Sequence, residues 1–220
     1  MTGGQRARLQ VVVVGVLSVT FALLAHAALV DGLPPMAGAL LSLFPAALLV
    51  CWLVSRARHR WVAGLVAAGA AALLWLGWPQ LERHFPDLFF LEHAGANLAL
   101  GIVFGRTLLG GREPLVTIFA RLVHGSLPPE VQRYSRHVTI AWTLFFATML
   151  IASCGLYLAG ERAAWSFLAN IASPLLVALM FVAEYGVRHR VLPDWERVGI
   201  LGGIRAFARH FQSARFEAPR

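Results

Sequence analysis

Three polar side chains lie inside a long apolar stretch of the sequence: Glu92, His93 and Asn97. Ionisable groups are costly in a membrane-spanning helix, so residues of this kind are functional candidates. His93 and Asn97 are four residues apart and share a helical face, whereas Glu92 points about 100° away from His93. Glu92 or His93 could accept a proton or contact a polar substrate. Alternatively, both lie at the water interface, where Glu92 needs no partner.

A second polar segment runs from residue 121 to residue 139 and is rich in arginine and histidine. Arg133, Arg136 and His137 share one face of a predicted helix and could bind a phosphate or carboxylate group. They could equally anchor that helix at the membrane surface. The candidate binding residues are Arg121, Arg133, Tyr134, Arg136 and His137. The weaker candidates for catalysis are Glu92, His93 and His124.

The remaining motifs do not indicate an enzyme of a known class. His26 and Asp31 have the spacing of a glycerolipid acyltransferase pair, but no glycine-rich partner motif accompanies them. Cys51 and Cys154 stand singly in apolar runs, which is typical of packed cysteines and not of zinc sites or disulfides. Gly-x-Ser-x-Gly, Walker and dinucleotide-binding motifs are absent. We therefore predict no metal and no cofactor, and the motifs favour a non-catalytic protein.

Composition places these residues in a membrane protein. Of the 220 residues, 58% are hydrophobic and only 14% are charged. A helix needs about 20 apolar residues to cross the hydrocarbon of a bilayer. The stretches that are long enough are residues 9–30, 36–54, 61–78, 88–109, 138–159 and 164–187. The sequence therefore predicts an all-α, polytopic membrane helix bundle of about six transmembrane helices, with residues 79–87 as one of the connections.

The arginines predict which side of the membrane each connection occupies. All 19 basic residues are arginine, and 17 of them fall at the two termini and in the second and fourth connections. Positively charged loops remain in the cytoplasm, so we expect both termini on the cytoplasmic side of a bacterial inner membrane. The same distribution explains the net charge of +8 without a nucleic acid partner. Ala25-His26-Ala27 leaves open a second interpretation, in which the first apolar run is a cleaved signal peptide.

Two further segments are predicted to be short amphipathic helices on the cytoplasmic surface of the membrane, at residues 114–124 and 194–211. The apolar face of the first segment carries Leu115, Ile118, Phe119 and Leu122. The opposite face carries Thr117, Arg121 and His124. Apolar insertion and the attraction of arginine to anionic lipid would hold both helices at the inner leaflet.

The last predicted span contains two features with structural consequences. Pro174 has no backbone N–H, so it frees a carbonyl inside the helix and predicts a kink. Glu184 and Arg188 are four residues apart, in the favourable order for a helical ion pair. We expect this pair to be structural and to lie at the cytoplasmic interface.

Several short motifs resemble those of one family of membrane proteins. They are Gly111-Arg112-Glu113-Pro114-Leu115, Phe119-Ala120-Arg121, His124-Gly125, the Arg-Tyr-Ser-Arg-His-Val-Thr stretch from Arg133, Trp142, Phe145-Phe146, Met180-Phe181-Val182-Ala183-Glu184-Tyr185, Arg188 and Leu192-Pro193. Together they resemble the predicted inner-membrane proteins encoded beside aryl-polyene and xanthomonadin-type pigment-lipid biosynthesis genes, over roughly residues 86–210. The chain departs from that pattern at Ser135, where the family has threonine.

The resemblance implies an accessory membrane protein in a pathway that builds a polyene acyl chain on a carrier protein and places it on a lipid. The implied partners are membrane lipids and an acidic acyl carrier protein. Some family members are labelled ketosynthase, but this chain has no Cys-His-His condensing site. Two alternatives remain open. A membrane-embedded acyl or lipid transferase would need its catalytic candidates to converge on a cavity, and a small transporter would need a polar path from Glu92 and Asn97 to Asn170 and Ser173.

Overall fold

The computed structural model describes residues 3–30, 32–55 and 60–192, which are helical with short connections. No strand occurs among these residues, so the predicted all-α class is confirmed. The helices are α1 (Gly3–Val30), α2 (Pro35–Ser55), α3 (Arg60–Arg106), α4 (Leu115–His124), α5 (Pro129–Leu158), α6 (Arg162–Phe167) and α7 (Ser173–Val191). A π-helical turn, Leu168–Ala172, joins α6 to α7. The predicted amphipathic helix at 194–211 lies outside the described residues.

Five helical runs in the described part of the chain are long and apolar enough to cross a membrane, where the sequence predicted six. The difference is in α3, which contains both the third and the fourth predicted spans. The 46-residue run Trp61–Arg106 would extend about 69 Å as a straight helix, more than twice the hydrocarbon thickness of about 30 Å. The chain is therefore a multi-pass helical membrane protein in which one helix carries the apolar length of two spans.

The segment 79–87, predicted as a connection, is helical, with a kink at His84 (φ −115°, ψ 16°). Pro86 cannot donate a backbone hydrogen bond to the carbonyl four residues earlier, so a departure from helical geometry nearby is expected. Local side-chain pairs stabilise the helix around the kink. The indole of Trp78 donates to Glu82 at 2.8 Å, and His84 Nδ1 lies 3.0 Å from Asp87 Oδ2. Both pairs have the i, i+4 or i, i+3 spacing that helical geometry brings together, and the segment forms no open loop.

The chain divides into two compact units, of which the first comprises Met1–Ala94 and Ser153–Leu175. Its core is formed by Ala25, Phe89 and Trp165, each buried. Gly38 on α2 permits a close approach, since a Cβ there would lie 2.5 Å from the Phe85 ring. Small residues at such contacts are typical of helix packing in membranes, where close van der Waals contact replaces the hydrophobic effect.

The second unit, Gly95–Ala152 and Leu176–Arg220, is centred on Trp142 in its described residues. The Trp142 ring lies 5.5 Å from that of Phe146, 6.3 Å from that of Phe104 and 4.9 Å from that of Phe181. Aromatic rings at these separations interact favourably beyond simple area burial. Trp142 is therefore the buried centre of this unit.

Two threonine hydroxyls hold the first turn of α4 in the second unit. The N–H of Leu115 donates to Thr107 Oγ1 at 3.0 Å, and the N–H of Val116 donates to Thr139 Oγ1 at 3.3 Å. The first N–H groups of a helix have no partner within the helix and need one from outside. Each hydroxyl in turn donates to a carbonyl in its own segment. Threonines from two neighbouring segments therefore fix where α4 begins.

The predicted surface helix at 114–124 forms as α4, but its two faces have an unexpected arrangement. Thr117, predicted on the outward polar face, is buried, whereas Phe119 and Leu122 from the apolar face are exposed. The side of α4 that carries Thr117 packs into the unit because Thr107 and Thr139 cap the first turn of the helix on that side. The exposed apolar side is the one available to lipid.

We predict that Thr139→Val destabilises the protein by about 1–3 kcal/mol, because it leaves the Val116 N–H without its partner at a fully buried position. Thermal unfolding of the detergent-solubilised protein, followed by circular dichroism, measures the effect. Thr143→Val is the matched control, since Thr143 Oγ1 donates only to the Thr139 carbonyl of the same helix. Equal stability of the two variants would contradict the capping role of Thr139.

Candidate functional site

His93 is the centre of a buried polar network in the first unit. Its Nδ1 lies 3.0 Å from Ser153 Oγ on α5, and its Nε2 lies 3.0 Å from Ser173 Oγ on α7. Ser153 is fully buried and also receives a hydrogen bond from the Trp165 indole at 2.9 Å. One catalytic candidate therefore joins residues from four helices, α3, α5, α6 and α7.

The donor and the acceptor of each hydrogen bond in this network can be assigned in turn. Ser173 Oγ donates to the Leu168 carbonyl at 2.8 Å, so it accepts from His93 Nε2–H. In the neutral imidazole that donates from Nε2, Nδ1 accepts from the Ser153 hydroxyl. The Ser153 oxygen accepts from the indole of Trp165. Both ring nitrogens of His93 therefore have a serine hydroxyl within hydrogen-bond distance.

The chemistry of the two ends shows what the network can do. It begins at the indole of Trp165, which can only donate, and ends at the carbonyl of Leu168, which can only accept. Along this line of hydrogen bonds, a proton is neither taken up at the indole nor released at the carbonyl. Ser153 is fully buried and cannot act as an accessible nucleophile beside His93. The arrangement instead fixes helices to one another by satisfying polar groups in an apolar environment.

The π-helical turn places Ser173 in this network. The Ser173 N–H donates to the Leu168 carbonyl, five residues earlier, and the Ser173 hydroxyl donates to the same oxygen. Pro174 follows immediately and has no N–H for the carbonyl that a regular α-helix would present to it. A local π turn is one way in which a membrane helix accommodates proline. The irregularity predicted at Pro174 is thus a wide turn that positions a serine.

A second histidine in this unit has a similar partner. His26 Nδ1 on α1 lies 2.8 Å from Ser166 Oγ, and the amide of Asn170 donates to that oxygen at 3.3 Å. Asp31, the residue paired with His26 by sequence spacing, lies outside the described residues. His26 therefore has a partner 140 residues away in the sequence, and its pairing with Asp31 stays a prediction.

The charged residues of the first unit gather at the kink of α3. The Tyr157 hydroxyl donates to Asp87, which also pairs with His84. The Arg162 guanidinium lies 4.1 Å from the centroid of the Tyr157 ring, in a cation–π contact. Glu92, by contrast, is half-buried and makes no hydrogen bond or ion pair with the described residues. The polar path predicted from Glu92 and Asn97 to Asn170 and Ser173 stays a prediction.

The predicted binding residues lie in the second unit. Arg133, Arg136 and His137 are exposed together at the start of α5, in agreement with the shared face that their spacing predicts. Tyr134 points inward, and its hydroxyl donates to the backbone carbonyl of Glu184 at 3.0 Å. The three basic residues are therefore exposed on a turn of α5 that the hydrogen bond from Tyr134 to Glu184 holds in place. We call Arg133, Arg136 and His137 the α5 basic face.

The other predicted residues in this unit have internal partners. Arg121 pairs with Glu113 at 2.7 Å, and Arg188 pairs with Glu184 at 3.5 Å, which confirms the predicted helical ion pair. His124 is half-buried at the end of α4 and contacts neighbouring residues. Sequence reasoning did not identify Ser153 or Thr139. A single hydroxyl within an apolar span is the only signal that either residue offered.

We predict that Ser153→Ala lowers the unfolding free energy by about 1–3 kcal/mol, because the indole of Trp165 and Nδ1 of His93 both lose their partner. Thermal unfolding in detergent is the measurement. Ser55→Ala is the control, since Ser55 is exposed and bonds only to a carbonyl in its own helix. A Ser153→Ala variant as stable as this control would show that the network does not hold the helices together.

The function of this chain has to be derived from its own residues. No protein-family model, no curated protein and no solved structure matches it. The observed geometry separates a largely buried network around His93 from an exposed α5 basic face. The side chains of the α5 basic face are accessible to a partner.

Proposed function

We propose that this protein is an accessory protein of the bacterial inner membrane, serving the biosynthesis or transfer of a lipid-linked polyene or fatty-acyl product. The observation that carries the proposal is the α5 basic face, whose three side chains are exposed on an anchored helical turn. Such a face matches an acidic acyl carrier protein, since opposite charges steer association and set orientation. The resemblance to proteins encoded beside pigment-lipid genes supports the same role.

The two enzymatic or transport alternatives have less support among the described residues. A transferase needs an accessible nucleophile or base, but His93 is occupied by two serines, one of them fully buried. A transporter needs a polar path, but Ser173 is engaged by His93 and Asn170 by Ser166. We therefore assign no catalytic step to this protein.

We further propose that both termini lie in the cytoplasm and that α3 contributes two spans. The argument is the arginine distribution, since Arg60 and Arg106, at the two ends of α3, belong to the arginine-rich connections. Positive residues at both ends favour a chain that crosses, turns near the kink at His84 and returns. The α5 basic face would then face the cytoplasm, where carrier proteins reside.

This topology predicts opposite labelling of two single cysteines in intact cells. In a background with Cys51 and Cys154 replaced by alanine, His84→Cys should react with a membrane-impermeant maleimide added outside the cells. Arg133→Cys should react only after the membrane is permeabilised. Both native side chains are exposed, so access is not limited by burial. Labelling of both cysteines only after permeabilisation would contradict the two-span assignment of α3.

The docking role predicts that Arg133→Gln combined with Arg136→Gln reduces pigment-lipid yield several-fold in the native strain. The reason is the loss of the two arginine charges of the α5 basic face, which would attract an acidic carrier protein. Membrane insertion, measured by fractionation and immunoblotting, should be unchanged, because both side chains are exposed. Arg83→Gln removes an exposed arginine from the other unit and should leave the yield unchanged. Wild-type yield from the double variant would overturn the proposal.

A further inference from the structure

The connection between α3 and α4 is an open turn with little side-chain cover. Gly110 and Gly111 have positive φ values of 64° and 68°, a conformation that favours glycine. A Cβ atom at either position would meet no heavy atom within 4 Å. The backbone of this turn is therefore approachable from outside the unit.

Three arginines are associated with this turn. Arg106 ends α3, Arg112 follows the two glycines, and Arg136 reaches it from α5, with Nη2 3.5 Å from the Leu108 carbonyl. That single long hydrogen bond leaves the other N–H groups of the Arg136 guanidinium available. All three side chains are exposed. One arginine of this set therefore belongs to α3, one to α5 and one to the turn.

The positive charge of the turn is not neutralised by the nearest carboxylate. Glu113 lies 2.7 Å from Arg121 and is engaged in that ion pair. None of the three turn arginines forms an ion pair with a described residue. Positive charges on and beside one turn of the chain attract an anion. Arginine suits phosphate in particular because its planar fork donates two parallel hydrogen bonds.

Apolar side chains are exposed on the same connection and on the helix that follows. Leu109, within the turn, is 69% exposed, and Phe119 and Leu122 on α4 are 36% and 39% exposed. A free phosphate ion would gain nothing from these residues. A phospholipid would place its phosphate among the arginines and its acyl chains along the apolar side of α4.

We propose that the α3–α4 turn, with Arg106, Arg112 and Arg136, is a binding site for the phosphate headgroup of an anionic phospholipid. The inference rests on the membrane placement proposed above but does not require the carrier protein. The site would fix α4 at the inner leaflet and hold a lipid beside the α5 basic face. A lipid acceptor in that position would be close to an acyl chain delivered by a docked carrier.

The experiment measures lipid binding to the full-length protein in neutral detergent by native mass spectrometry. The probes are phosphatidylglycerol, phosphatidylcholine and inorganic phosphate. Phosphatidylglycerol should bind well above the other two. Arg112→Gln and Arg106→Gln should each weaken its binding about tenfold, the usual effect of losing a charge-assisted hydrogen bond. Arg133→Gln is the matched control, because Arg133 is exposed on α5 but is not one of the turn arginines.

The outcomes separate this inference from the proposed docking role. Weaker lipid binding in the Arg112→Gln variant, with wild-type binding in Arg133→Gln, supports the lipid site whatever the effect of Arg133 on yield. Equal binding of phosphatidylcholine, or wild-type binding in both turn variants, overturns it. Inorganic phosphate that binds as tightly as phosphatidylglycerol would identify a free-anion site instead. Loss of carrier protein capture in the turn variants, with lipid binding intact, would assign the turn to the carrier and also overturn the inference.

Discussion

The first unit depends on the need to satisfy polar groups in an apolar environment. Water is not available inside the bilayer, so each buried hydroxyl, indole and imidazole needs a partner from the protein. Ser153 and Ser173 supply those partners to His93, and Trp165 completes the network. Because dispersion and hydrogen bonds, and not hydrophobic burial, hold membrane helices together, this network contributes specificity that apolar contacts alone do not provide.

In the second unit, the polar groups that need partners are the first N–H groups of a helix. α4 begins beside a glycine-rich turn, and its first N–H groups find acceptors in Thr107 and Thr139. This capping directs the hydroxyl-bearing face of α4 into the protein and leaves Phe119 and Leu122 outward. The same geometry leaves the basic residues of the α3–α4 turn and of α5 on the surface. Helix capping and the proposed recognition of anionic partners are therefore linked.

The contrast between the two histidine-bearing regions bears on function. A histidine within a membrane span is a functional candidate from the sequence, and in the structure both ring nitrogens of His93 lie 3.0 Å from serine hydroxyls. The exposed Arg133, Arg136 and His137 looked like ordinary anchors of a span and are the residues available to a partner. Burial, and not the rarity of a residue type, distinguishes the two groups.

The sequence by itself determined the helical class, the membrane-spanning character, the surface helix α4, the shared face of Arg133 and Arg136, and the Glu184–Arg188 pair. All of these depend on apolar length or on spacing along one helix, which a single chain encodes locally. Only the tertiary structure decided that the third and fourth predicted spans form one kinked helix, which face of α4 is buried, and which serines engage His93. The physical reason is that those outcomes depend on hydrogen-bond partners in other segments, 8 to 80 residues away in the sequence, or on how a proline is accommodated. Neither the distant hydrogen-bond partners nor the geometry at a proline can be inferred from local periodicity in the sequence.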